Sequence, residues 1–228
     1  MIATSPGPYL WWLVSRASGI VALALISVSV LLGLTMATRV LRRPGVGRIL
    51  VRLHEHVALA GLAAIAIHGL ALLGDPWLRP TPDSLAVPFT LSYRPLFTGL
   101  GVVAGYLAAV LGLSFYARRR IGTRLWRRLH RATVIVWLLG VAHTLGAGSD
   151  ASTPWLRALM LLTGLPIVYL ATLRILGAGR PPARTKLARG RVPAQAPTAS
   201  SPRPPHAGGA AAPMLRSTPS LLASQEGA

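Results

Sequence analysis

The chain has 228 residues, 52% of them apolar and 13% charged, and its mean hydropathy of +0.53 is that of a membrane protein. Without cysteine there can be no disulfide, zinc–thiolate site, iron–sulfur cluster or thiolate-ligated haem. The net charge of +19 would point to nucleic acid in a soluble protein, but here the arginines gather in loops and a tail. Membrane topology and anionic lipid account for them there, and no segment resembles an RNA- or DNA-binding module.

Five apolar runs follow in order. Residues 10–37 are long enough to span a bilayer with some tilt, and Tyr9, Trp11 and Trp12 form an interfacial belt at their start. This run has no basic lead and no small-residue cleavage site, so it reads as a span and not as a signal peptide. The connection 38–52 carries Arg39, Arg42, Arg43, Arg48 and Arg52 and no acid. Residues 53–74 form the second span. The connection 75–96 is longer, near neutral and proline-rich. The third span is 97–116, and six arginines crowd the segment 117–128 after it. The fourth span is 129–147, the turn 148–153 holds Asp150, and the fifth span is 154–176. Residues 178–228 are rich in Pro, Ala, Gly, Ser and Arg without periodicity and read as a disordered basic tail. The expected fold is therefore all-α, a bundle of five transmembrane helices over residues 1–177. Basic loops between spans 1–2 and 3–4, with the basic tail, predict an outer N-terminus and a cytoplasmic C-terminus in a bacterial cytoplasmic membrane.

Spans 2 and 4 each carry two histidines, His54 and His68 on one, His130 and His143 on the other, separated by 14 and 13 residues. Fourteen residues at 1.5 Å each cover roughly 21 Å, most of the hydrocarbon thickness, and return to within roughly 40° of the starting face. The predicted topology runs both spans in the same direction. His54 and His130 then meet near the cytoplasmic face, and His68 and His143 near the outer one. Two such helices would hold two stacked haems, each clamped by one imidazole from each helix. A single histidine at a helix end is ordinarily an interfacial side chain; four of them, paired and co-oriented, favour ligands. His56 lies about 200° from His54 and faces elsewhere. His206, in the tail, is taken as inert. Thirteen steps leave His143 about 140° from the face of His130, so span 4 needs a π-bulge or a tightened turn, with Gly140 the obvious place, or the pairing is wrong.

Other residues have two readings each. Gly61, midway between His54 and His68, either admits a porphyrin to the backbone or serves ordinary helix packing. Trp137 either lies between two haems or faces core or lipid. Arg16, inside span 1 at the depth of His68, either meets an outer-haem propionate or snorkels to the headgroups. Arg52 and Arg131, with Arg127 and Arg128, either neutralise inner propionates or fix topology.

The segments L-H-x13-H at 53–68 and L-H-x12-H at 129–143 resemble the transmembrane domain of ferric reductases and NADPH oxidases. That family also includes the haem-binding membrane subunit of the bacterial methionine sulfoxide reductase system. The resemblance covers roughly residues 10–176. It implies two haems b, with His54 and His130 on the inner iron and His68 and His143 on the outer. The family's oxidases carry a cytoplasmic flavin–nicotinamide module and usually six spans; this chain has five runs and no such module. The expected function is transmembrane electron transfer, as the membrane component of an oxidoreductase. A separate flavoprotein or quinol would be the donor, an outer redox partner the acceptor, and anionic lipid would lie at the basic loops and tail. Two alternatives belong to other classes: a transporter or channel subunit using the histidines for protons or metal, and a membrane anchor for a partner.

Overall fold

The computed structural model describes residues 7–38, 40 and 45–177; Arg39, Arg42, Arg43 and the tail from 178 lie outside them. Seven helices and no strand occur among the described residues. They are α1 (Gly7–Thr38), α2 (Val46–Leu72), α3 (Pro82–Ala86), α4 (Pro95–Ile121), α5 (Thr123–His130), α6 (Thr133–Ala147) and α7 (Pro154–Ile175). Five stretches are long and apolar enough to cross a membrane: α1, α2, α4, α5 with α6, and α7. The expected all-α, five-span fold is found.

The helices outrun the apolar segments that announce them. α2 starts at Val46 and takes in Arg48 and Arg52, while α4 continues through Arg118, Arg119 and Arg120. Hydropathy marks only the part of a helix inside hydrocarbon, and backbone hydrogen bonding carries the helix on into the headgroup zone. Gly122, at φ 84°, ends α4 and starts α5 in one residue, a left-handed conformation that favours glycine. The short α3 was not foreseen. Proline in its first turn presets the helical φ, and the Thr81 hydroxyl caps it by accepting from Ser84 N at 3.2 Å.

α1 packs along α2 and also touches α7 and α6; α4 packs along α6 and touches α5 and α2. Each histidine-bearing helix thus has its own supporting helix, α1 for α2 and α4 for α6. One apolar cluster joins Val30 and Leu34 of α1, Trp137 of α6 and Ile167 of α7. A second joins Ala108 and Leu111 of α4 with Val136 of α6 and Leu62 and Ile65 of α2. Most large apolar side chains point outward, among them Leu70, Val110, Leu162 and Leu165, as a lipid-facing surface requires. Hydroxyls inside the spans bond back to their own helix: Ser27 to Leu23 O at 2.7 Å, Thr35 to Leu31 O at 2.8 Å, Thr163 to Leu159 O at 2.9 Å.

The arginine-poor end is closed by tied loops. Asp75 is buried, and its carboxylate accepts from Trp77 N at 2.8 Å and Leu78 N at 3.2 Å. Arg94 Nη1 donates to Gly146 O and Tyr93 OH to Ala147 O, fastening this loop to the end of α6. The other end is lined with arginines from α4, α5 and α7.

Candidate functional site

The four histidines form two facing pairs. His54 on α2 meets His130 at the end of α5, with ring centroids 5.9 Å apart and planes at 90°. His68 on α2 meets His143 on α6 at 6.1 Å and 74°. The first pair lies at the arginine-rich end and the second at the loop-closed end. The pairing also shows that α2 and the α5–α6 span run in the same direction.

Supporting helices orient three of the four rings in one way. His68 Nδ1–H donates to Ser15 O at 2.8 Å, with Ser15 Oγ 3.2 Å away. His54 Nδ1–H donates to Ser29 O at 2.9 Å, with Ser29 Oγ also at 3.2 Å. His143 Nδ1–H donates to Phe97 O at 2.8 Å. A carbonyl can only accept, so the proton sits on Nδ1 and the Nε2 lone pair is left for a metal. This is the usual outer-shell arrangement of a ligating histidine.

A glycine stands one turn beyond each of these carbonyls. A Cβ at Gly19 would come within 2.9 Å of His68 Nδ1, and one at Gly101 would run into His143 Nδ1. At Gly33 the nearest His54 atom would be 3.5 Å away, an ordinary contact. α1 therefore carries the unit S-x3-G twice, at Ser15–Gly19 and Ser29–Gly33, 14 residues apart. That equals the spacing of the histidines it serves on the antiparallel α2. Sequence reasoning missed this set, although the repeat was there to be read.

The rotation problem on span 4 is resolved at Arg131–Ala132, not at Gly140. α5 stops at His130 and α6 starts at Thr133. Between them Ala132 N bonds to Leu129 O at 2.8 Å and Ile135 N to Ala132 O at 2.9 Å, both one residue tighter than α-helical spacing. The Thr133 hydroxyl takes up the His130 carbonyl at 2.9 Å. Three residues at 3₁₀ pitch add roughly 60° of rotation, and the break gives α5 and α6 separate axes for the remainder. Around Gly140 the helix is continuous.

The family model described as ferric reductase like transmembrane component matches residues 18–141. The chain belongs to that family. It is also 34% identical over 156 residues to the protein-methionine-sulfoxide reductase heme-binding subunit MsrQ of Azospira oryzae, covering 68% of this chain. The chain spans 61% of that relative's length. No solved structure matches.

Within this ferric reductase-like domain the remaining candidates fall as follows. Arg16 sits at the level of the loop-closed pair, one residue from the Ser15 that holds His68. Its Nε donates to Asp150 Oδ2 at 2.6 Å and its Nη2 to Asp150 Oδ1, a fork that ties α1 to the turn before α7, and it lies over the Trp12 ring. The sequence had offered a propionate or the headgroups, and Asp150 was not considered. Gly61 is buried against Ile26 and Leu25 of α1. Trp137 is buried, donates to Ser27 Oγ at 3.0 Å, and packs toward α1 and α7. Val136, with Leu62 and Ile65, also lies at a depth between those of the two pairs. His56 is bonded to Arg52 O of its own helix at 2.7 Å and is exposed, and Arg52 is exposed too. Arg124, Arg127, Arg128 and Arg131 join Arg174 of α7 around a cavity of about 320 Å³ at the end where His54 and His130 meet. Arg174 had not been singled out.

Each pair offers two imidazoles and nothing more. Among the described residues no three His, Cys, Asp or Glu side chains gather as a metal cluster. A bare divalent zinc wants three or four protein ligands. Two opposed imidazoles suit a metal whose other four ligands arrive with it, as in haem.

Proposed function

We propose that the chain is the electron-transfer subunit of a membrane oxidoreductase, holding two haems b. The observation that carries this is the pair of opposed imidazoles at each end of α2, three of the four locked in one tautomer by a backbone carbonyl. A metal–imidazole bond of about 2.1 Å and about 1.1 Å from ring nitrogen to centroid give roughly 6.4 Å between centroids across one iron. The observed 5.9 and 6.1 Å agree to within a few tenths of an ångström. His54 and His130 hold one haem and His68 and His143 the other. Bound there, haem would supply one-electron chemistry, and a pair that commits both its imidazoles to the group would suit electron transfer.

The chain's own residues do the rest. Carbonyls of Ser15, Ser29 and Phe97 fix tautomer and ring orientation and raise ligand basicity. Leu62, Ile65 and Val136 keep the layer between the two sites apolar. Arg131, with Arg127 and Arg128, neutralises propionates at the arginine-rich end. Arg16 spends two of its five N–H groups on Asp150 and keeps three for a propionate at the other end. By the positive-inside rule the arginine-rich end is cytoplasmic. Electrons enter there from a flavoprotein, or from a quinol in the membrane, and leave at the outer face. The resemblance to a methionine-sulfoxide reductase haem-binding subunit makes a redox catalytic subunit the natural outer partner. The basic end rests on anionic lipid.

The test is the absorption spectrum and haem content of the detergent-purified full chain. A reducible b-type spectrum with two haems per chain is expected. A colourless preparation from haem-replete cells would overturn the reading and return the histidines to proton or metal traffic.

A further inference from the structure

His130 is held unlike the other three histidines. Their common arrangement is a carbonyl acceptor for Nδ1–H and a glycine one turn further along the supporting helix. On α4, Phe97 and Gly101 serve His143 in this way. Fourteen residues on, the equivalent places hold Leu111 and Phe115, so the glycine is replaced by a phenylalanine. His130 Nδ1 is buried and makes no hydrogen bond of ordinary geometry; the Leu111 carbonyl approaches it, but outside that geometry. The ring instead stacks on Trp126, with centroids 5.1 Å apart and planes at 25°, and Trp126 in turn meets Phe115 at 5.9 Å. Trp126 Nε1 is likewise buried without a partner. His130 is also the last residue of an eight-residue helix, immediately before the break at Arg131–Ala132.

We propose that His130 is an exchangeable ligand. The site at the arginine-rich end opens on its His130 side to a small neutral π-acceptor ligand such as carbon monoxide, while the site of His68 and His143 stays closed. This rests on the haem reading above. The physical case is a difference in what each imidazole loses on leaving. His54, His68 and His143 would each break a bond to a carbonyl. His130 gives up only a poorly aligned approach to the Leu111 carbonyl, and by swinging out it lets two buried N–H groups, its own and that of Trp126, reach water or headgroups. An outer-shell acceptor also strengthens a histidine ligand, and its loss typically weakens metal affinity by about 10–100-fold. Stacking on Trp126 holds the ring flat but gives the ligating nitrogen no added basicity. The exchange is balanced: the bond from His130 Nε2 to ferrous iron breaks, a bond from carbon monoxide forms, and no electron or proton moves.

The experiment uses the full chain in detergent, reduced with dithionite, with total haem counted first and carbon monoxide uptake read from the difference spectrum. The expected result is uptake by about half of the haem. Trp126→Leu removes the stack and should raise the uptake rate by about two- to tenfold, the worth of one aromatic pair. Gly101→Ala drives a Cβ into His143, and whatever haem that variant retains at the second site should then also take up carbon monoxide. Two haems with no uptake, or equal uptake by both in the unmodified chain, would overturn the inference and leave the dihaem reading standing. Absence of haem would overturn both. Should Trp126→Leu lose haem altogether, Trp126→Phe, which keeps the stack and deletes the unpartnered N–H, is to be compared. Unchanged uptake there supports the stack as the holding contact, and complete loss of uptake counts against the proposal.

Discussion

The two ends of the bundle apply one pattern with unequal completeness. At the loop-closed end both imidazoles are locked to carbonyls, both have a glycine beside them, and Arg16–Asp150 and Arg94–Gly146 tie the surrounding helices together. At the arginine-rich end only His54 is locked, and His130 leans on an indole. The difference follows from how each supporting helix meets its partner. α1 is unbroken and presents the same four-residue unit twice at the spacing α2 needs. α4 presents its unit once, because the partner histidines are 13 residues apart and the span that bears them breaks between α5 and α6. A residue missing from a helical repeat thus appears in space as one histidine without a well-formed hydrogen bond to its carbonyl.

On the proposed reading, the largest effects should come from the four paired histidines. His68→Ala or His143→Ala should remove the haem at the loop-closed end and spare much of the other. His54→Ala or His130→Ala should do the reverse, and His56→Ala should leave both in place. Haem content and redox titration of each variant check this. Loss of a haem in His56→Ala with retention of both in His54→Ala would contradict the pairing.

Next are the glycines, where the distances rank the outcomes. Gly101→Ala drives a methyl into His143 Nδ1, Gly19→Ala puts one 2.9 Å from His68 Nδ1, and Gly33→Ala one 3.5 Å from the nearest His54 atom. Haem retention should therefore fall most for Gly101→Ala, less for Gly19→Ala, and hardly at all for Gly33→Ala. Equal losses at all three would mean that the glycines serve helix packing in general.

Much of this site was legible in the sequence. The spans and the spatial pairing of the four histidines followed from hydropathy, the 14 and 13 spacings and the arginine distribution. What was not read has physical reasons. Ser15, Gly19, Ser29 and Gly33 act through backbone carbonyls and the absence of a side chain, and small residues in a membrane helix look like generic packing. The break was expected at Gly140 because glycine is the usual marker of one. It lies instead at Arg131–Ala132, next to the arginines of α5 and just before the continuous apolar run of α6, with the Thr133 hydroxyl replacing a lost helical partner. The Asp150 partner of Arg16 lies 134 residues away in sequence, and only the packed bundle brings the two together.

Arg16→Leu should have a smaller effect, and one confined to the loop-closed end. It leaves the Asp150 carboxylate, 6% exposed, without its cation. Breaking a fully buried pair costs about 3–5 kcal/mol; because Arg16 is itself 36% exposed, roughly 1–2 kcal/mol is the expected loss of stability. Taking away positive charge should also lower the potential of the haem held by His68 and His143, with the other haem unmoved about 21 Å along the helix. Arg16→Lys should recover part of both effects, since it keeps the charge and loses the fork. A thermal denaturation series with redox titration separates stability from potential. Loss of stability with both potentials unchanged would reduce Arg16 to a fastening for Asp150.

The smallest effect compares Ser15→Ala with Ser29→Ala. Each substitution deletes a hydroxyl 3.2 Å from a histidine Nδ1 and keeps the backbone carbonyl that accepts the proton at 2.8 or 2.9 Å. The tautomer therefore survives, and only the weaker second acceptor is lost. Its net worth is at most about 0.5–1 kcal/mol. Acceptors on Nδ1–H make the imidazole a stronger donor and favour ferric iron, so removing one should raise the potential of its own haem. On the one-electron scale of about 59 mV per tenfold change, half a kcal/mol corresponds to roughly 20 mV. Ser15→Ala should raise the haem bound by His68, and Ser29→Ala the haem bound by His54. The Ser15 variant has a further loss, because its hydroxyl also donates to His68 O at 3.2 Å and helps fasten α1 to α2. Its thermal stability should therefore fall slightly more than that of Ser29→Ala. Redox titration of the two variants side by side is the measurement. Each shift must appear at its own haem; a shift common to both haems in either variant would mean that the serines act through the packing of α1 as a whole and not through the ring each one touches.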